Sequence, residues 1–161
     1  DFQVPGVGSI TVDPHKMGMS TIPAGVLMVR DANCFSHLLV ETPYLTIKQA
    51  YSLTGTRPGS AVAGAYAVLA HLGYNGMEAV VAGCMENTRR LIEGMEAYGI
   101  SRKVTPDVNV ATFNNTEIPE PWVVSHTRAG DLRIVCMPHV DRDVIEAFLA
   151  DIGEKRAGSV G

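Results

Sequence analysis

The sequence predicts an α/β chain that closes in a small α+β lobe, and three observations carry that reading. Two short β-branched runs, residues 9–12 and 24–30, are joined by a loop holding two prolines and a glycine. Helical patterns then fill residues 60–99, the first rich in alanine and the second apolar at three- and four-residue steps. After about residue 100 the period becomes that of strands, and an amphipathic pattern at 141–156 ends the chain.

Each element follows from its residues. "SITV" (9–12) is short, apolar and β-branched, which suits a buried strand. "DPHKMGMSTIP" (13–23) is a turn-rich loop between two strands, a common place for chemistry. "AGVLMVR" (24–30) is the next strand. Residues 31–59 have little periodicity. "CFSHLLV" reads as a short strand or a short helix, and a loop this long is expected to be functional or covered by a partner. "SAVAGAYAVLAHLG" (60–73) is a helix with Ser60 as N-cap and Gly73 as its end. In the second helix, 76–99, Val81, Met85, Thr88, Ile92 and Met95 form one buried stripe. Glu86 and Arg90 are an i,i+4 surface pair worth about 0.3 kcal/mol. "VNVATF" (108–113), "WVVSHT" (122–127) and "LRIVCM" (132–137) read as strands, the last two joined by a hairpin at "RAGD". In the closing helix Val144, Ile145, Phe148, Leu149 and Ile152 face inward, and its acidic start and basic end suit the helix dipole.

The bulk numbers exclude several classes. A chain of 161 residues, 46% hydrophobic and 19% charged, has the composition of an ordinary soluble globular protein. A net charge of -4 gives no electrostatic case for nucleic acid, and no basic cluster suggests a membrane surface. No apolar run reaches the roughly 18–20 residues that span a bilayer, and no signal peptide is visible. Cys34, Cys84 and Cys136 are dispersed, without metal-ligand spacing, and read as reduced, buried thiols of a cytosolic protein. The chain opens on Asp1 and enters a strand within a few residues, which reads as a cut point inside a longer chain.

Three places carry candidate chemistry. Lys16 sits on the sharp turn after the first strand. A lysine desolvated there would be neutral and able to form a Schiff base, whereas a lysine in a polar turn is ordinarily solvated. "GTRPGS" (55–60) lies directly before a helix, where glycines and free N–H groups make a phosphate-binding corner or simply a capped helix start. Arg133 alternates with Leu132 and Ile134 in a strand and is either a bidentate carboxylate clamp or a solvent-facing residue. His37, His71 and His126 are isolated, and His139 reads as a loop residue. Tyr44 and Tyr51 read as interface packing, and Met17 and Met19 as fillers of core gaps.

"SITVDPHKMGMSTIPAGVLMVRD", "PYLTIKQAYSLTGTRPGSAVAGAYAVLAHLGYNG", "CMENTRRL" and "LRIVCMPHV" together resemble the group II pyridoxal-phosphate-dependent decarboxylases over nearly the whole chain. The likeness is greatest to the archaeal branch that acts on L-tyrosine and L-aspartate. The resemblance implies the C-terminal part of a type I (aspartate aminotransferase-like) fold. Residues 1–59 would end the large cofactor-binding domain, 60–99 would be connecting helices, and 100–161 the small domain. It implies pyridoxal 5'-phosphate as cofactor, no metal, and a cytoplasmic homodimer with its sites at the subunit interface. Lys16 matches the lysine that holds the cofactor as an internal aldimine, and His15 the histidine at the cofactor phosphate. Gly55 and Thr56 match the segment that approaches the phosphate, often from the neighbouring subunit. Arg133 matches the arginine expected to bind the substrate carboxylate. The products implied are β-alanine, for coenzyme A, or tyramine, for methanofuran.

Two departures qualify the resemblance. Family members carry, before the lysine, an aspartate for the pyridine nitrogen, a histidine stacked on the ring and a phosphate loop, but only fifteen residues precede Lys16. The chain is therefore expected to be the C-terminal portion of a decarboxylase and, alone, inactive. The link between "NVATF" and "WVVSHT" is also short, where longer versions carry a helix. Two other readings stand beside the decarboxylase. One is a carbon–carbon lyase of the same superfamily, like sphingosine-phosphate lyase. The other is a non-catalytic partner subunit that lends Gly55 and Thr56 to another chain.

Overall fold

The computed structural model describes residues 1–52 and 54–158. The chain divides into two compact units, Asp1–Gly73 and Tyr74–Gly161.

In the first unit, β1 (Ser9–Val12) pairs antiparallel with β2 (Val26–Val29), Ser9 opposite Val29 and Val12 opposite Val26. A 3-10 helix follows at Ala32–Leu38, its N-terminus capped by Asp31, which accepts from the Asn33 N–H. β3 (Val40–Glu41) and β4 (Gln49–Ala50) then form a short antiparallel pair. Their turn is closed by the Thr42 N–H on the Lys48 carbonyl at 2.8 Å and the Thr42 hydroxyl on the Ile47 carbonyl at 2.7 Å.

Helix α1 (Gly59–Ala97) starts one residue before Ser60, with the Ala61 N–H on the Pro58 carbonyl, so Ser60 lies inside the helix and is not its N-cap. Up to Leu72 it turns Ala61, Gly64, Ala65, Val68 and Leu72 inward and leaves Val62, Tyr66 and Leu69 exposed. Gly73 interrupts the helical path with φ 59° and ψ -166°, a conformation open to glycine alone. The helix resumes at once, without the two-residue gap expected between 60–73 and 76–99, although Tyr74, Asn75 and Gly76 are weak helix formers.

The first unit has almost no core. Among its described residues only Pro14, Ala24, Thr42 and Ala61 are buried. The expectation of a buried first strand is thus corrected: Val12, Val26, Leu27 and Met28 are all exposed. β1 has β2 as its ladder partner and no layer of this unit over its faces. Met19 is also exposed, at φ 51°, and fills no core gap.

The second unit is built around a single core. From Tyr74 onward α1 buries Cys84, Thr88, Leu91, Ile92 and Met95. Val81, expected in this stripe, is exposed, because the stripe runs through Cys84 and Leu91. β5 (Val110–Phe113), β6 (Ser125–His126) and β7 (Leu132–Val135) form a sheet of order β5-β7-β6. The β6–β7 hairpin turns as expected: Gly130 has φ 85°, and the Thr127 N–H reaches the Asp131 carbonyl at 2.8 Å.

Only Ser125 and His126 of the expected strand 122–127 join the ladder. Trp122 is held by α2 (Arg142–Gly158) instead: its indole N–H donates to Asp151 at 2.6 Å and its ring meets Phe148 edge-on at 5.3 Å. Helix α2 is capped by Asp141, which accepts from the Val144 N–H, and buries Ile145, Phe148 and Ile152. Its Leu149 crosses α1 at Gly94, where an added Cβ would lie 2.3 Å from Leu149 Cδ1. Leu91, Met95, Phe113, Leu132, Cys136, Ile145 and Ile152 close the core between sheet and helices. Cys84 and Cys136 are buried thiols as expected, but Cys34 is exposed, a correction that follows from its place on the surface 3-10 helix.

Candidate functional site

The loop from Asp13 to Ser20 leaves the end of β1 and is fixed by its own backbone. The Lys16 N–H donates to the Asp13 carbonyl at 3.0 Å and the Met19 N–H to the Lys16 carbonyl at 2.9 Å. The Ser20 N–H returns to the Pro14 carbonyl at 3.0 Å. Gly18 makes this closure possible, since a Cβ there would lie 2.6 Å from the Pro14 carbonyl oxygen. The Ser20 hydroxyl then donates to the Ala61 carbonyl at 3.2 Å and ties the loop to the start of α1.

His15 fastens the other side of the loop. Its Nδ1 lies 2.6 Å from the Ala24 carbonyl oxygen, and the Ala24 N–H approaches the same nitrogen at 3.2 Å. Both contacts engage Nδ1, which donates to the Ala24 carbonyl in one tautomer and accepts from the Ala24 N–H in the other. Nε2 then faces an outside partner as a donor wherever it carries a proton, either in the tautomer with Nδ1 accepting or in the charged ring.

Lys16 stands between these fixed points. Its side chain is 66% exposed and its ammonium lies 2.7 Å from Asp13 Oδ2. The desolvated lysine considered from the sequence is therefore not what these residues build by themselves. They build a solvent-accessible amine on a rigid turn. The Lys16 hydrogen bond and charge hold the Asp13 carboxyl below its ordinary value. Asp13 was not singled out in the sequence, although Asp-x-x-Lys across a turn is the spacing that brings such a pair together.

Gly55 and Thr56 lie in an exposed, irregular stretch before α1. Among the described residues no hydrogen bond or ion pair joins them to His15 or Lys16, so that expected grouping is not formed by such contacts within this unit. Nothing surrounds a Cβ built at Gly55 within 4 Å, which leaves its backbone open to approach.

Arg133 belongs to the second unit. It sits in the middle strand of the sheet between Thr112 and Ser125, exposed, and makes no ion pair among the described residues. With Ser125 and the apolar side chains of Trp122, Val124, Ile134, Val144 and Phe148 it borders a cavity of about 330 Å³. His37, His71, His126 and His139 join no metal-binding cluster among the described residues. No helix among them is long and apolar enough to cross a membrane.

Solved structures share this architecture. Sphingosine-1-phosphate lyase from Burkholderia pseudomallei matches 96% of the chain at a TM-score of 0.81 and 25% identity, over 38% of its own length. Glutamate decarboxylase from Lactobacillus brevis matches 96% at 0.78 and 17% identity, over 41% of its length. The fold is accordingly that of the C-terminal part of the type I pyridoxal-phosphate enzymes.

The model of the pyridoxal-dependent decarboxylase conserved domain matches residues 1–111. A probable L-tyrosine/L-aspartate decarboxylase of Methanospirillum hungatei is 77% identical over 154 residues, 96% of this chain and 42% of that protein. A probable L-aspartate decarboxylase of Archaeoglobus fulgidus is 49% identical over 94% of this chain and 44% of that protein. The chain belongs to the pyridoxal-dependent decarboxylase family, whose cofactor is pyridoxal phosphate. It spans about 42% of the length of the Methanospirillum relative.

Proposed function

We propose that this chain carries the cofactor anchor and the substrate carboxylate site of a pyridoxal-phosphate-dependent amino-acid decarboxylase, acting on L-aspartate or L-tyrosine. The observation that carries the reading is the Asp13–Ser20 loop, which presents one accessible primary amine on a backbone held by its own hydrogen bonds and by His15. The donor set fits the cofactor. Lys16 Nζ would take its aldehyde carbon, and His15, with Nδ1 engaged at Ala24, would donate from Nε2 to its phosphate. The open backbone at Gly55 and the Thr56 hydroxyl suit the same phosphate, from this subunit or from a partner in a homodimer. The bound cofactor would supply an electron sink for the pair left behind when carbon dioxide departs.

Two residues of the chain then have a defined task. Lys16 would hold the cofactor through Nζ. Arg133 binds the substrate carboxylate through two parallel N–H bonds and so fixes which bond stands ready to break. Residues 1–59 would end the large domain, 60–99 connect, and 100–161 form the small domain of a cytoplasmic enzyme. Its product would be β-alanine for coenzyme A, or tyramine for methanofuran.

Turnover tests the reading. In the protein that carries these residues, Lys16→Ala should abolish carbon dioxide release from both amino acids. The 161 residues tested alone should release little or none, since they span about 42% of the length of the Methanospirillum relative. Steady turnover by the 161 residues would contradict the second expectation. The likeness to the Burkholderia lyase keeps a carbon–carbon lyase as the second reading. Cleavage of a phosphorylated long-chain amino alcohol, with no carbon dioxide released from either amino acid, would favour it.

A further inference from the structure

Asp13 has no task in the reading above, yet it is the side chain that Lys16 touches. We propose that Asp13 is the positioning residue of Lys16: its carboxylate holds the Nζ nitrogen at the loop whenever that nitrogen is not bonded to a carbonyl carbon. The inference rests on Lys16 being the cofactor anchor and adds a second residue to that function.

Three observations support it. Asp13 Oδ2 lies 2.7 Å from Lys16 Nζ. The main chain has already closed the turn between the two residues, since the Lys16 N–H donates to the Asp13 carbonyl at 3.0 Å. The other carboxylate oxygen faces the approach to β2, where a Cβ built at Gly25 would lie 3.7 Å from Oδ1. The carboxylate, 43% exposed, thus lies beside the loop and near the second strand. The lysine is different: its flexible stem and 66% exposure leave the nitrogen free to roam unless something holds it. The charged groups that act on Asp13 are Lys16 and, more weakly, His15.

The chemistry narrows the role. When Nζ adds to an aldehyde, a carbon–nitrogen bond forms and the carbonyl oxygen leaves as water. The ammonium must first have given up a proton. A carboxyl held below the ordinary range does not keep that proton at neutral pH, so solvent takes it. Asp13 therefore acts on where the nitrogen waits, not as the base that activates it.

Two readouts on Asp13→Asn and Asp13→Glu test this. The first is acetylation by acetic anhydride, comparing Lys16 with Lys48, Lys103 and Lys155 by peptide mapping. The second is the amount of pyridoxal phosphate fixed on Lys16 by borohydride at subsaturating cofactor. Asp13→Asn should raise acetylation of Lys16 and lower cofactor capture, each by about two- to five-fold, the range open to an exposed pair. Asp13→Glu should keep both near the parent values. Unchanged readouts in Asp13→Asn overturn the proposal, because the pair then holds nothing. Failure of the glutamate variant to restore them also overturns it, because the loop has then merely come apart. If the parent protein captures no cofactor on Lys16, the anchor reading fails. The acetylation arm still decides separately whether Asp13 holds the amine.

Discussion

Lys16 is placed by the residues around it. His15 clasps Ala24, Gly18 yields space to the Pro14 carbonyl, and Ser20 reaches across to α1. The D-P-H-K run and the later glycines were legible because they are local and specific. Lys16's ion pair was not singled out, because a lysine in a polar turn looks the same whether or not it is held. The cysteines divide the same way. Burial pushes the Cys84 and Cys136 thiols up, while Cys34 lies exposed. A thiol reagent should titrate Cys34 in the folded protein and all three cysteines only after denaturation. The sign of the pH effect follows. Thiols in the unfolded chain ionise from their ordinary value of 9.0, the buried ones later, so stability should fall as pH rises beyond that point. Melting curves at rising alkaline pH check this, and a melting temperature unchanged across that range would contradict it.

At the scale of elements, what could be read depended on whether the cause was local. The β6–β7 turn and the inward face of α2 follow from glycine and apolar spacing within a few residues, while Asp141, expected inside the helix, caps it instead. Burial of β1 and the length of the 122–127 strand did not follow, since each depends on which distant surface packs there. Trp122, for example, is taken by Asp151 and Phe148 on α2. Gly73 reads as the end of a helix and is a kink within one, since the weak helix formers Tyr74, Asn75 and Gly76 conceal the continuation. The contact between α1 and α2 is the tightest of these joints. Gly94→Ala would drive a methyl into Leu149 and should cost about 1–3 kcal/mol. Denaturant titration checks it, and an unchanged midpoint would show that Leu149 repacks freely.

Across the whole chain, apolar burial is divided unequally. The hydrophobic cluster lies entirely within residues 91–152, all in the second unit. The first unit carries the lysine loop on a ribbon and a helix whose apolar faces stay exposed. Burial of apolar surface is the main driving force for folding, so the two units should differ in resistance to opening. Limited proteolysis should cut first within residues 1–73 and leave a protected fragment that begins near Tyr74. Equal rates of cleavage in both units would contradict that division.

The central claim is that Lys16 anchors pyridoxal phosphate, and one measurement tests it most directly. The protein is incubated with pyridoxal phosphate, reduced with borohydride, digested and mapped. The account expects the reduced cofactor on the peptide containing Lys16, and no such adduct in Lys16→Ala. Capture spread evenly over Lys16, Lys48, Lys103 and Lys155, or absent from Lys16, would contradict it.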